Sequence, residues 1–117
     1  MSKSPRPKVV HGETPMIDTA CGHLYVTVNS WDGKPMEVFA TLGKAGDCQK
    51  CEIEALTRCI SNSLQWGVPP EVFTKTLNGL RCPKPAFSGG KDGTVLSCPD
   101  AIAKALSQFL PKEEENK

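Results

Sequence analysis

Leu24 to Ser30 alternates cleanly, with Leu24, Val26 and Val28 on one side and Tyr25, Thr27 and Asn29 on the other. That two-residue period predicts a half-buried strand. A second run follows, in which Met36, Val38, Ala40 and Leu42 alternate with Glu37, Phe39 and Thr41. Between them lies Trp31-Asp32-Gly33-Lys34, whose Asp-Gly pair accepts positive φ, so the two runs predict a β-hairpin. The period changes after Gly43-Lys44-Ala45-Gly46-Asp47. From about Cys48, the residues Ile53, Leu56, Ile60 and Leu64 form a stripe at helical spacing that ends at Gly67. Pro69 and Pro70 open a second helix, with Val72, Phe73, Leu77 and Leu80 as its apolar face. Arg81 to Thr94 reads as an irregular loop. A third helix starts at Ser97-Cys98-Pro99-Asp100, with Ser97 or Cys98 as cap, and buries Ile102, Ala105, Leu106 and Phe109. The order β-β-α-α-loop-α predicts an α+β fold: a small antiparallel sheet with about three helices on one face. A bare hairpin is marginal alone, so further strand content is expected within residues 9–20 or 94–97.

The length of 117 residues fits one domain. The expected division is a flexible N-terminal segment (1–15), the domain itself (16–110) and a polar, disordered tail (111–117). With 38% hydrophobic residues, ten Pro and ten Gly, the core is small, and a structural metal would help it close. The formal net charge of +1 provides no basic field, and aromatic residues are few, so nucleic acid is not indicated as a partner. The N-terminus lacks the apolar core of a signal peptide, and no stretch approaches the roughly 18 apolar residues of a membrane span. The expected location is the cytoplasm, with no membrane partner.

Six cysteines then need a reason. Disulfides, a redox pair and a metal site are the candidates, and a reducing compartment favours the last two. Cys21, Cys48, Cys82 and Cys98 fall at predicted turns and element ends, where one metal would tie all the elements together. Two of them, Cys48 and Cys98, start helices, where thiolates are stabilised. Four thiolates suit a closed, tetrahedral zinc site, although iron accepts the same donors. Only Cys48-Gln49-Lys50-Cys51 is a tight pair, so Cys51 is a substitute for one of the four or the partner of Cys48 in a dithiol. Cys59 falls beside the apolar stripe and reads as a small core residue. His11 and His23 read as surface or hairpin-end residues.

Several of these segments resemble one known family. They are Thr19-Ala-Cys-Gly-His-Leu-Tyr-Val-Thr-Val-Asn29, Met36-Glu-Val-Phe-Ala-Thr-Leu-Gly-Lys-Ala-Gly-Asp-Cys48, Leu80-Arg-Cys-Pro83 and Leu96-Ser-Cys-Pro-Asp-Ala-Ile-Ala-Lys-Ala-Leu106. Together they resemble the TSCPD domain, which is found at the C-terminus of adenosylcobalamin-dependent (class II) ribonucleotide reductases and also as a free-standing small protein. Leu96 stands where the family's motif has threonine. The resemblance runs from about Arg6 to about Leu106. It implies a structural zinc, one per chain, held by Cys21, Cys48, Cys82 and Cys98, with Cys51 and Cys59 outside the family's pattern. It does not imply catalysis, since 117 residues cannot hold the reductase barrel.

The first expectation is therefore a non-catalytic zinc-binding accessory domain that works with a class II reductase or another nucleotide-metabolism protein. A second is a small protein that sequesters a nucleotide or nucleotide signal, with Lys44, Gly46 and Arg81 as ligand-binding residues. A glycine-rich turn before a helix can cradle phosphate, although this one lacks Walker spacing. A third is a dithiol carrier through Cys48 and Cys51. No G-x-S-x-G or H-E-x-x-H motif supports a hydrolase. Trp31, at the hairpin tip, is expected exposed, and Trp66 is expected to cap the core. Exposure of both would suggest a partner surface or a homo-oligomer.

Overall fold

The computed structural model describes residues 2–43, 46–83 and 94–110. Four antiparallel strands form one sheet: β1 (His11–Glu13), β2 (Met16–Thr19), β3 (Gly22–Trp31) and β4 (Lys34–Leu42). The helices are α1 (Asp47–Gln65), α2 (Pro70–Leu77) and α3 (Cys98–Ser107). This is the expected α+β class, and the added strands fall within residues 9–20.

The β3–β4 hairpin pairs Trp31 with Lys34 across Asp32 and Gly33. Asp32 has φ 55° and Gly33 φ 78°, the left-handed pair that this two-residue turn requires. With β4 on one edge of β3, β1 and β2 share the other: β1 pairs along Val28–Ser30 and β2 along Gly22–Tyr25. They amount to one strand broken at Thr14-Pro15. Proline cannot donate to a ladder, and here only its carbonyl engages β3, accepting from the Val26 amide at 3.0 Å.

The sheet's inner face supplies Ile17, Leu24, Val26, Val28, Val38 and Leu42 to the core. Facing them are Ile53, Ile60 and Leu64 of α1, and Ala101, Ile102, Ala105 and Leu106 of α3. α1 also closes the free edge of β4. The Ser61 hydroxyl accepts from the Val38 amide at 2.9 Å and donates to the Val38 carbonyl at 3.0 Å, and Gln65 donates to the Met36 carbonyl. Covering an edge with a helix is a common protection against unwanted strand pairing.

The segment before β1 docks at several points. The Ser4 amide donates to the Gln65 carbonyl at 2.7 Å, and its hydroxyl accepts from the Trp31 indole at 3.1 Å. Arg6 Nε pairs with Glu37 at 2.8 Å, and Asn29 donates to the other Glu37 oxygen at 2.9 Å. These partners explain how a carboxylate on the outer face of the sheet is buried.

Five side chains depart from expectation. Trp31 is half-buried through its contact with Ser4, whereas Trp66 is 42% exposed. Val72 and Leu80 are exposed as well. The short helix α2 buries a line through Pro70 and Leu77, with Phe73 partly covered, and Val72 lies off that line. Leu80 follows the turn at Gly79, past the helix end. Cys59 is exposed rather than in the core. Ile60 faces inward, and one step along a helix turns a side chain by about 100°, which carries Cys59 to solvent.

Candidate functional site

Cys21 occupies the two-residue turn between β2 and β3, where Thr19 pairs with Gly22. The Thr19 hydroxyl donates to the Gly22 carbonyl at 2.8 Å and accepts from the Cys21 amide at 3.1 Å, so one side chain fixes the turn. Gly22 has φ 130°, a conformation that favours glycine.

Cys82 and Cys98 come together through a polar lock between the end of α2 and the start of α3. Ser97 caps α3, its hydroxyl accepting from the Asp100 amide at 3.0 Å and donating to the Leu80 carbonyl at 2.7 Å. Asp100 is fully buried. It accepts from the Gly79 amide at 2.8 Å, the Leu96 amide at 2.9 Å and Lys104 Nζ at 2.8 Å. Burial alone would raise this carboxyl's pKa, but the two amides and the ammonium outweigh it and hold the pKa below the ordinary value. Beside this lock the Cys82 amide donates to the Leu96 carbonyl at 3.0 Å, placing Cys82 alongside the strand of chain that leads to Cys98.

Cys21, Cys82 and Cys98 line one pocket of about 360 Å³, with Gln49, Ile53, Leu56 and Ile102 among its walls. All three thiols are half-buried. Gln49 Nε2 lies 4.0 Å from Cys98 Sγ and links α1 to the group. Burial pushes the Cys98 thiol pKa up. The neighbouring Cys21 and Cys82 add to the rise, against hydrogen bonds from Thr19 and Gln49. Among the described residues, no group of three or more His, Cys, Asp or Glu side chains is assembled into a metal-holding cluster.

Cys48 and Cys51 stand exposed on the first turns of α1. The α1 residues that line the pocket, Gln49, Glu52, Ile53 and Leu56, centre roughly 90° around the helix from Cys48 and roughly 150° from Cys51, at about 100° per residue. Cys48 is not among the lining residues; it stands to the side of them on α1, while Cys51 faces away.

The phosphate-cradle residues are placed less tightly. Lys44 lies outside the described residues, as do the loop 84–93 and the tail 111–117. Gly46 is the exposed N-cap of α1, and Arg81 is exposed next to Cys82. His11 is exposed on β1, and His23 is exposed and paired with Asp18. Sequence reasoning missed Thr19, Gln49 and Lys104. The Ser97-x-x-Asp100 spacing and Lys104 one turn later carried a readable signal for the lock, and Gln49 carried none.

Among the described residues, no helix is long and apolar enough to cross a membrane. Comparison with curated proteins and with solved structures returned no match. The model of the TSCPD domain matches residues 2–110, a span that takes in every strand, every helix and all six cysteines. By that match over nearly its whole length, the chain belongs to the TSCPD domain family.

Proposed function

We propose that this chain is a non-catalytic, zinc-binding accessory domain of the cytoplasm, acting beside a class II ribonucleotide reductase or another nucleotide-handling protein. The observation that carries the reading is the convergence of Cys21, Cys82 and Cys98 from three separate parts of the chain on one pocket. The donor chemistry fits zinc. A half-buried Cys98 thiol, whose ionisation is opposed by burial and by the neighbouring Cys21 and Cys82, is the kind of group a divalent cation neutralises. Cys48 is the fourth donor in this reading, since it lies nearer than Cys51 to the side of α1 that lines the pocket. When bound, zinc would supply a cross-link between the β2–β3 turn, α1, the α2–α3 connection and α3. The residues of this chain do the rest. Thr19 holds the Cys21 turn, and the Ser97–Asp100 lock sets Cys82 against Cys98. The partner class is what family membership suggests.

Metal analysis of protein purified without added metal tests the reading. About one zinc per chain is expected, by the stoichiometry of closed four-thiolate sites. Cys21→Ser, Cys82→Ser and Cys98→Ser each abolish retention, whereas Cys59→Ser keeps it. Protein that holds no zinc under reducing conditions would overturn the reading. Nucleotide-dependent thermal stabilisation of the metal-loaded protein would favour a sequestering role instead.

A further inference from the structure

We infer that Cys48 and Cys51 form a redox couple whose closure to a disulfide withdraws Cys48 from the metal centre and releases the zinc. This rests on the four-thiol reading above. Both thiols are exposed, three residues apart on α1, where side chains are neighbours at about 5–6 Å between Cβ atoms. A small adjustment of the first turn brings them to disulfide distance. Cys51 faces away from the pocket, so it stays accessible while Cys48 serves the metal. Cys59 is also exposed on α1, but it lies eight residues, about 12 Å, beyond Cys51 and cannot close onto it.

The co-reactant is a low-molecular-weight disulfide such as glutathione disulfide. The Cys51 thiolate attacks one of its sulfurs. That S–S bond breaks, one glutathione leaves as thiolate, and Cys51 carries the other as a mixed disulfide. The Cys48 thiolate then attacks the Cys51 sulfur, the Cys48–Cys51 bond forms and the second glutathione leaves. Two protein sulfurs are oxidised and one disulfide is reduced to two glutathione thiolates, which take up the proton from Cys51 and one from solvent, since zinc-bound Cys48 carries none. Cys48 no longer has an electron pair as thiolate to donate. Three donors remain, and the ion departs as Zn²⁺.

The test uses the full, reduced, zinc-loaded chain titrated with glutathione disulfide, with zinc release followed by a chromophoric chelator. Trypsin cuts after Lys50 and Arg58, which places Cys48, Cys51 and Cys59 in different peptides, so mass spectrometry reads the linkage directly. Zinc release and the Cys48–Cys51 link are expected to rise together and to reverse with dithiothreitol and added zinc. Cys51→Ser should slow release by about tenfold or more, because the thiol that first attacks the glutathione disulfide is lost. Cys59→Ser should behave as the unsubstituted chain does. Zinc retained while the link forms, equal release from Cys51→Ser, or linkage through other pairs would each overturn the switch and leave the metal reading standing. A reduced chain that binds no zinc overturns both, and the metal content measured before oxidation separates the two cases.

Discussion

Replacing Asp100 with alanine removes the shared acceptor of two backbone amides and one ammonium. The amides of Gly79 and Leu96 point at a carboxylate with no exposure to solvent. Each of these part-buried donors, left without its acceptor, costs about 1–3 kcal/mol, while Lys104, 30% exposed, can turn to water. The expected loss is about 3–5 kcal/mol, against total stabilities of about 5–15 kcal/mol for ordinary domains. In urea, with a slope of about 1–2 kcal/mol per molar, the midpoint should fall by about 2–4 M at fixed zinc. Asp100→Asn keeps the shape and one acceptor oxygen, so it should lose less, about 2–3 kcal/mol. Lys104→Met should cost about 1–2 kcal/mol alone and nearly nothing in the Asp100→Ala background, because its partner is already gone. The carboxyl's pKa is depressed in the folded chain, so its stabilisation is fully present above the unfolded value of about 3.9. As pH falls from there through the folded value it disappears, and unfolding curves of the unsubstituted chain and Asp100→Asn should converge. A midpoint shift below about 0.5 M for Asp100→Ala would refute the lock as a stabilising element.

Three further outcomes follow from the same geometry. A Cβ on Gly12 would run into the Val28 carbonyl oxygen and the Asn29 side chain, so Gly12→Ala should cost about 1–3 kcal/mol, read as a lowered Tm. Glu37→Ala removes the buried carboxylate that Arg6 and Asn29 share and should destabilise by about 1–3 kcal/mol, more than Arg6→Ala, whose side chain is 45% exposed, in the same urea titration. Apparent zinc affinity should rise with pH through the thiol range. Each donor must shed its proton, and burial makes Cys98 hold its own unusually tightly; a chelator competition at several pH values checks this.

The hairpin, the three helices and the cap at Ser97 were legible because alternation, helical spacing and Asp-Gly or Pro signals are local. The break at Thr14-Pro15 was not, since β1 is only three residues long and pairs with a strand more than a dozen positions away. The fate of Cys59 turned on a single helical step beside Ile60, a resolution that periodicity lacks. The cysteine group was readable as a set of element ends. Its sorting into pocket-lining Cys21, Cys82 and Cys98, with Cys48 to the side on α1, required the three-dimensional approach of Gln49 to Cys98. The Asp100 lock joins Gly79 and Leu80 to Leu96 and Ser97, residues well separated in sequence, and no local pattern announces that closure.

Six of the ten residues of α3 are buried, and its apolar side is what covers β2 and β3. Among the described elements that helix is made last. β3 ends at Trp31 and α3 begins at Cys98, a separation of 98 − 31 = 67 residues. At about 5–20 residues per second, the ribosome needs about 3–13 s to make the intervening chain. During that interval Leu24, Val26 and Val28 form a sticky face without its lid, and the thiols already made lack the Cys98 that completes their group. The nascent chain should therefore be a client of holding chaperones until its final helix emerges, and truncations within α3 should aggregate rather than fold into a smaller domain.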